Sequence, residues 1–241
     1  MPNIVEKMTF NYSPNFDSIK RSSKQIKYLI FHYTGMRNDS LAIRKLTSEK
    51  SRVSCHYYIN KKGELIQIVP DLYVAWHAGK SKWKKDSHLN KNSIGIEISN
   101  PGHEHGYEKF KKKQINCLIK ISRKLIKKYK INKKNILGHS DIAPIRKKDP
   151  GEKFPWKFLS KKNLGIWYKL NLSNLKKLRG KNKDLEMNLF LKLLKKFGYN
   201  TQHSNSNELK KIIKSFQRRF RPELVNGKLD KECLEIIKSL I

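Results

Sequence analysis

The stretch SIGIEISN, residues 93–100, alternates apolar residues with small or polar ones. A period of two belongs to a strand that rests one face on a core. Ile94, Ile96 and Ile98 point to the core, while Gly95, Glu97 and Ser99 point the other way, which places Glu97 to line a cleft. KYLIFHY, residues 27–33, is a short continuous apolar run and reads as a buried strand with His32 near its end. In VSCHYYIN, residues 53–60, Val53, Cys55, Tyr57 and Ile59 share one face and Ser54, His56, Tyr58 and Asn60 the other. Lys61-Lys62-Gly63 supplies a turn and ELIQIV a return strand, which makes a hairpin. Asp39 or Ser40 caps a helix over roughly 41–50. Residues 111–130 carry a helical stripe of Ile115, Leu118, Ile119, Ser122, Leu125, Ile126 and Tyr129, with lysines filling the remaining faces. NIL then leads into Gly138-His139 as a strand that ends in a loop. This order implies an α/β fold, a mixed central sheet flanked by helices.

Composition shifts after about residue 157. RGKNKD, residues 179–184, reads as a linker between a catalytic unit over 1–178 and a small C-terminal unit over 185–241. The latter holds three helical patterns: Leu185, Leu189, Leu193 and Phe197; Leu209, Ile212, Ile213, Phe216 and Phe220; and Leu234, Ile237 and Leu240. Gly198 closes the first, and Pro222 and Asn226-Gly227 separate the second from the third.

The chain has a net charge of +34, with 44 lysines against 10 arginines. Such a surface attracts anionic partners, although a lysine-rich codon bias produces the same excess. Zinc-finger spacing, an aromatic-rich RNA-binding sheet motif and a recognition helix are all missing, so nucleic acid is not an expected partner. Cys55, Cys117 and Cys233 are odd in number and far apart, which argues against a disulfide scaffold. No run of residues approaches the ~20 apolar positions of a membrane span. The first twenty residues show no secretory pattern, which leads to the expectation of a cytoplasmic protein, the cell envelope being the alternative.

The chemistry concentrates in GHSDIAPIRKKDPG, residues 138–151, where His139, Lys147 and Asp149 share one short connection. With His32 they provide two imidazoles and a carboxylate, a donor set suited to a hydrolytic zinc ion that keeps one position open. Glu97 remains as a general base and Lys147 as an oxyanion partner. His77 and Trp76 in AWHAG, and His56 on the hairpin, are candidate cleft walls for substrate, although His56 also suits a structural hydrogen-bonding role. His103 and His105 in PGHEHGYE form an HxH pair that reads better as a solvated loop.

FHYTG, VSCHYYINKKGELIQIVP, AWHAG, SIGIEISNPG and GHSDIAPIRKKDPGEKFPW resemble, in order, the signature blocks of the zinc-dependent N-acetylmuramoyl-L-alanine amidases. The resemblance implies zinc on His32, His139 and Asp149, Glu97 as catalytic acid/base and Lys147 as oxyanion stabiliser. It also implies hydrolysis of the amide between N-acetylmuramic acid, ordinary or 1,6-anhydro, and the L-alanine of a peptidoglycan stem peptide. FGY at 197–199, FQRRFRP at 216–222 and NGKLD at 226–230 are similar to peptidoglycan-binding domains, and the combination looks most like the AmiD-type branch of the family. Peptidoglycan or its muramyl-peptide fragments are the expected partners. The rival readings are a receptor that binds peptidoglycan without cutting it and a zinc peptidase acting on the stem itself.

Overall fold

The computed structural model describes residues 8–181 and 186–241. Its strands are β1 (Thr9–Phe10), β2 (Phe16–Asp17), β3 (Tyr28–Tyr33), β4 (Tyr57–Ile59), β5 (Leu65–Gln67), β6 (Val74–Ala75), β7 (Lys82–Trp83), β8 (Asp86–Ser87), β9 (Ser93–Ile98) and β10 (Ile136–Gly138). The helices are α1 (Asp39–Thr47), α2 (Lys112–Tyr129), α3 (His139–Ile142), α4 (Trp156–Ser160), α5 (Leu172–Lys177), α6 (Glu186–Phe197), α7 (Ser206–Phe220) and α8 (Lys231–Leu240). Six strands form the central sheet in the order β1-β5-β4-β9-β3-β10. Only the β4–β5 hairpin is antiparallel, so the sheet is mixed as expected.

Strand β3 is apolar on successive residues because both its faces are covered. Leu29 and Phe31 join Ile94, Ile96, Ile98 and Ile136 against Ile115, Leu118 and Leu125 of α2. Tyr28 and Ile30, on the other face, join Leu137 beneath Phe190, Leu194, Ile212, Phe216 and Phe220 of the C-terminal helices. Further along that second face, α1 supplies Ala42 and Leu46 over Tyr58. Leu118 lies at the centre of the α2 contact and is fully buried. Leu118→Ala is therefore expected to cost about 2–5 kcal/mol of stability, read from the denaturant midpoint at unchanged slope.

Local departures from the sequence reading have identifiable causes. Asn38, not Asp39 or Ser40, caps α1, its side chain accepting from the Leu41 amide. The expected strand over 53–60 shortens to Tyr57–Ile59. Ser54 leaves the sheet to pair with Trp76, its amide donating to the Trp76 carbonyl and its hydroxyl accepting the Trp76 amide. His139 opens a one-turn helix where a loop was expected. In α6 the 3.6-residue repeat turns Phe190 and Leu194 inward, and Leu189, assigned to the stripe from its spacing, is exposed. Leu185 and residues 182–184 of the proposed linker lie outside the described residues. The three C-terminal helices share one apolar cluster with the second face of the sheet.

Candidate metal centre and catalytic cleft

The parallel strands β3 and β9 run side by side with His32 opposite Glu97. Beyond Ile30 on β3 the second face of the sheet turns polar, and His32 and Glu97 emerge there at the carboxyl ends of the strands. That end of an open parallel sheet is where ligands usually bind. The adjacent strand β10 delivers His139 at the first position of α3. Asp149 returns beside it because the chain passes close to Gly138, where a Cβ would lie 2.6 Å from the Pro150 ring.

These elements bring three donor atoms to one point. His32 Nδ1 is 2.9 Å from His139 Nδ1 and 3.1 Å from Asp149 Oδ2, and His139 Nδ1 is 3.0 Å from the same oxygen. All three residues are buried, and they form the one such cluster of potential metal ligands among the described residues.

The hydrogen-bond network settles the tautomers. Ser93 Oγ gives its single proton to the Leu89 carbonyl, so it must accept from His77 Nε2, 3.2 Å away. His77 Nδ1 is then the acceptor for His32 Nε2–H at 3.0 Å. His139 Nε2–H donates to the Ala78 carbonyl at 3.1 Å. In the neutral imidazoles both Nδ1 atoms therefore present bare lone pairs to each other and to a carboxylate oxygen. Three converging lone pairs repel unless a cation lies between them, and two imidazoles with one carboxylate suit a divalent metal of the zinc kind. The outer partners Ala78, His77 and Ser93 hold each imidazole in the ligating tautomer.

Burial sets the charge states. It lowers the His32 pKa to about 4, with the charge of His139 adding to the effect. Burial alone would raise the Asp149 carboxyl, but His139 and His32 draw it well below the usual range. Burial, then the negative charge of Asp149, pushes Glu97 up to about 8. Glu97 Oε2 is buried without a hydrogen-bond partner, and Glu97 lines the same cleft as His139 and Asp149.

The cleft around this centre has a volume of about 340 Å³. Glu97, Lys147, Trp76, His77, His139 and Asp149 all line it. His77 contributes mainly behind His32, pressed so closely on Gly95 that a Cβ there would lie 2.4 Å from its ring. His56 is not in the cleft wall. It is completely buried, accepting the Gly95 amide at 3.0 Å and lying 3.1 Å from the Tyr73 carbonyl. Of the two roles open to it, the structure places it in the hydrogen-bonding one. His103, read as a solvated loop residue, instead lines the cleft, held between the Tyr33 hydroxyl at 2.9 Å and the Glu152 carboxylate at 3.0 Å. His105 is exposed. Ser93 escaped notice in the sequence, although it shares a strand face with Gly95 and Glu97; the alternation of SIGIEISN was the signal available.

A mixed sheet presenting a His-His-Asp cluster in a cleft that Glu97 also lines has the residues of a metal-dependent hydrolase. The family model described as N-acetylmuramoyl-L-alanine amidase matches residues 22–152, and the chain belongs to that family. The N-acetylmuramoyl-L-alanine amidase AmiD of Escherichia coli is 35% identical over 231 residues, covering 90% of this chain and 83% of its own. The E. coli AmiD structure in complex with the substrate anhydro-N-acetylmuramic acid-L-Ala-D-gamma-Glu-L-Lys superposes with a TM-score of 0.80 at 32% identity, covering 93% of this chain and 91% of that one. AmpDh3 of Pseudomonas aeruginosa gives 0.79 at 28% identity, over 94% and 95% of the two chains. The chain is an amidase that cleaves the bond between N-acetylmuramic acid and L-alanine, with the mixed-sheet fold of AmiD.

Proposed function

We propose that His32, His139 and Asp149 hold a zinc ion, with Glu97 as the catalytic acid/base and Lys147 as the oxyanion partner. The substrate is a muramyl peptide, ordinary or 1,6-anhydro. The observation that carries this reading is the convergence of three donor atoms in a cleft that Glu97, with an unpartnered carboxylate oxygen, also lines. Zinc in that position would supply Lewis acidity toward a carbonyl oxygen and lower the pKa of water toward ~7. Glu97 accepts a proton as water attacks the lactyl carbonyl, then returns it to the departing alanine nitrogen. Lys147, which lines the cleft, would stabilise the oxygen that becomes negative, a contribution of about 3 kcal/mol in comparable sites. Lys45, Arg146 and Lys148 also line the cleft and suit the carboxylates of a stem peptide. The division into a catalytic unit and a peptidoglycan-binding-like C-terminal unit remains part of this proposal. Among the described residues no helix is long and apolar enough to cross a membrane.

Mass spectrometry of the products from a purified muramyl peptide tests the reaction. Intact stem peptide beginning at L-alanine, released by zinc-loaded protein and not by chelated protein, is the expected result. Internal cleavage of the stem would make the protein a peptidase instead.

The half-buried Glu97 also predicts a pH signature in chelator-treated protein. A carboxyl whose pKa rises from 4.5 to about 8 on folding binds its proton more tightly in the folded chain. Its contribution to stability therefore falls as pH climbs through that interval. His32, lowered from 6.5 to about 4, acts in the opposite sense but only below 6.5. Between pH 6.5 and 8 the melting temperature of the metal-free parent should fall relative to that of Glu97→Gln. Parallel curves would show that Glu97 is not buried as a proton-binding group.

A further inference from the structure

Helix α7 lies against α3, the one-turn helix that carries His139. Three side chains of the C-terminal helical region reach into it. Ser215 Oγ donates to the Ser140 carbonyl at 2.6 Å. Arg219 pairs with the Asp141 carboxylate, and its second nitrogen donates to the Ile136 carbonyl on β10 at 3.0 Å. Tyr199 donates its hydroxyl to the other Asp141 oxygen. Asp141 in turn accepts the Gly138 amide at 2.7 Å, which fixes the residue immediately before His139. The Ser140 amide donates to the Asp149 carbonyl at 2.8 Å, so the same clamp reaches the second ligand-bearing segment. None of Tyr199, Ser215 and Arg219 lines the cleft.

Arg219 and Asp141 are 2% and 1% exposed. A buried ion pair is a poor way to gain stability, because desolvating both charges offsets their attraction. What it does supply is one fixed geometry. Here that geometry belongs to the backbone on either side of a metal-ligating histidine, and the guanidinium itself lies over Trp156, its central carbon 4.2 Å from the ring centre. A module that served only to bind cell wall would need none of these contacts.

We propose that Arg219, Ser215 and Tyr199 are positioning residues for the metal centre, so that the C-terminal unit, besides any part in binding cell wall, braces the zinc site of the catalytic unit. This inference rests on the assignment of His32, His139 and Asp149 as zinc ligands. Outer partners of ligating histidines typically govern 10–100-fold in metal affinity.

The test is zinc affinity of the full chain, measured by competition with a chromophoric chelator, alongside melting temperature. Ser215→Ala, which removes one hydroxyl and leaves the charges intact, should bind zinc several-fold more weakly, and the doubly neutralised Asp141→Asn/Arg219→Met about 10–100-fold more weakly. Arg221 and Asp230 form a second buried pair in the same region, away from α3. Arg221→Met/Asp230→Asn should lower the melting temperature and keep the parental zinc affinity. Parental affinity in folded Ser215→Ala and Asp141→Asn/Arg219→Met would overturn the inference. Equal weakening by both double variants would also overturn it, since general destabilisation would then suffice. If Asp141→Asn/Arg219→Met does not fold, Ser215→Ala decides. A folded parent that binds no zinc would defeat the ligand assignment itself; a parent that binds zinc beside unaffected variants would defeat only the positioning role.

Discussion

Glu97→Gln is expected to lower turnover by about 10²–10⁴-fold while the protein still binds zinc. The amide keeps the shape and the burial of the side chain but cannot take a proton. Glu97 stands opposite His32 in the β3–β9 register, yet its carboxylate oxygens are absent from the group of converging donor atoms. Its loss should therefore appear in the rate constant at saturating substrate and hardly at all in metal affinity. A proton-transfer group and a ligand are separated by that pair of readings. Parental turnover in the variant would assign the base to another residue, and lost zinc would make Glu97 part of the ligand set.

His139→Ala should have the converse signature. It removes one of three donors and frees Asp149, whose low pKa depends first on His139 among its partners. Zinc affinity should fall by more than the ~10–100-fold that loss of an outer partner costs, and hydrolysis should vanish with it. Circular dichroism and the melting temperature of the metal-free variant separate this from unfolding, because α3 keeps its anchors through Ser140 and Asp141 when the imidazole and its bond to Ala78 are lost. The same loss of activity should follow chelation of the parent and reverse on adding zinc. Activity that survives in the folded variant would remove His139 from the site.

Much of the site was legible because its residues sit on elements with strong local patterns. The period of two in residues 93–98 put Glu97 on the face opposite Ile94, Ile96 and Ile98, and the strand carries it there. The apolar run ending at His32 announced a strand buried on both sides. Helix α2 follows its stripe from Ile115 to Tyr129 with the lysines outward. His56 and His77 were harder to separate. Both are histidines among apolar and aromatic neighbours, and nothing local distinguishes one that meets the Gly95 amide from one that meets His32. His103 looked solvated because its partners, Tyr33 and Glu152, are 70 and 49 residues away.

By itself the sequence determined the mixed sheet and the helix that covers its first face, and it singled out His32, His139, Asp149, Glu97 and Lys147 as the candidate set, because strand and helix periods and side-chain chemistry are local properties. The tertiary structure alone decided which nitrogen of each imidazole faces the centre, since that follows from the distant Ala78, His77 and Ser93. It also decided where the last three helices pack. Their apolar stripes specify burial without naming a partner, and only the uncovered face bearing Tyr28, Ile30 and Leu137 made the sheet that partner. Buried Arg219 and Asp141, 78 residues apart, belong to the same class: two charges whose meaning exists only where the fold brings them together.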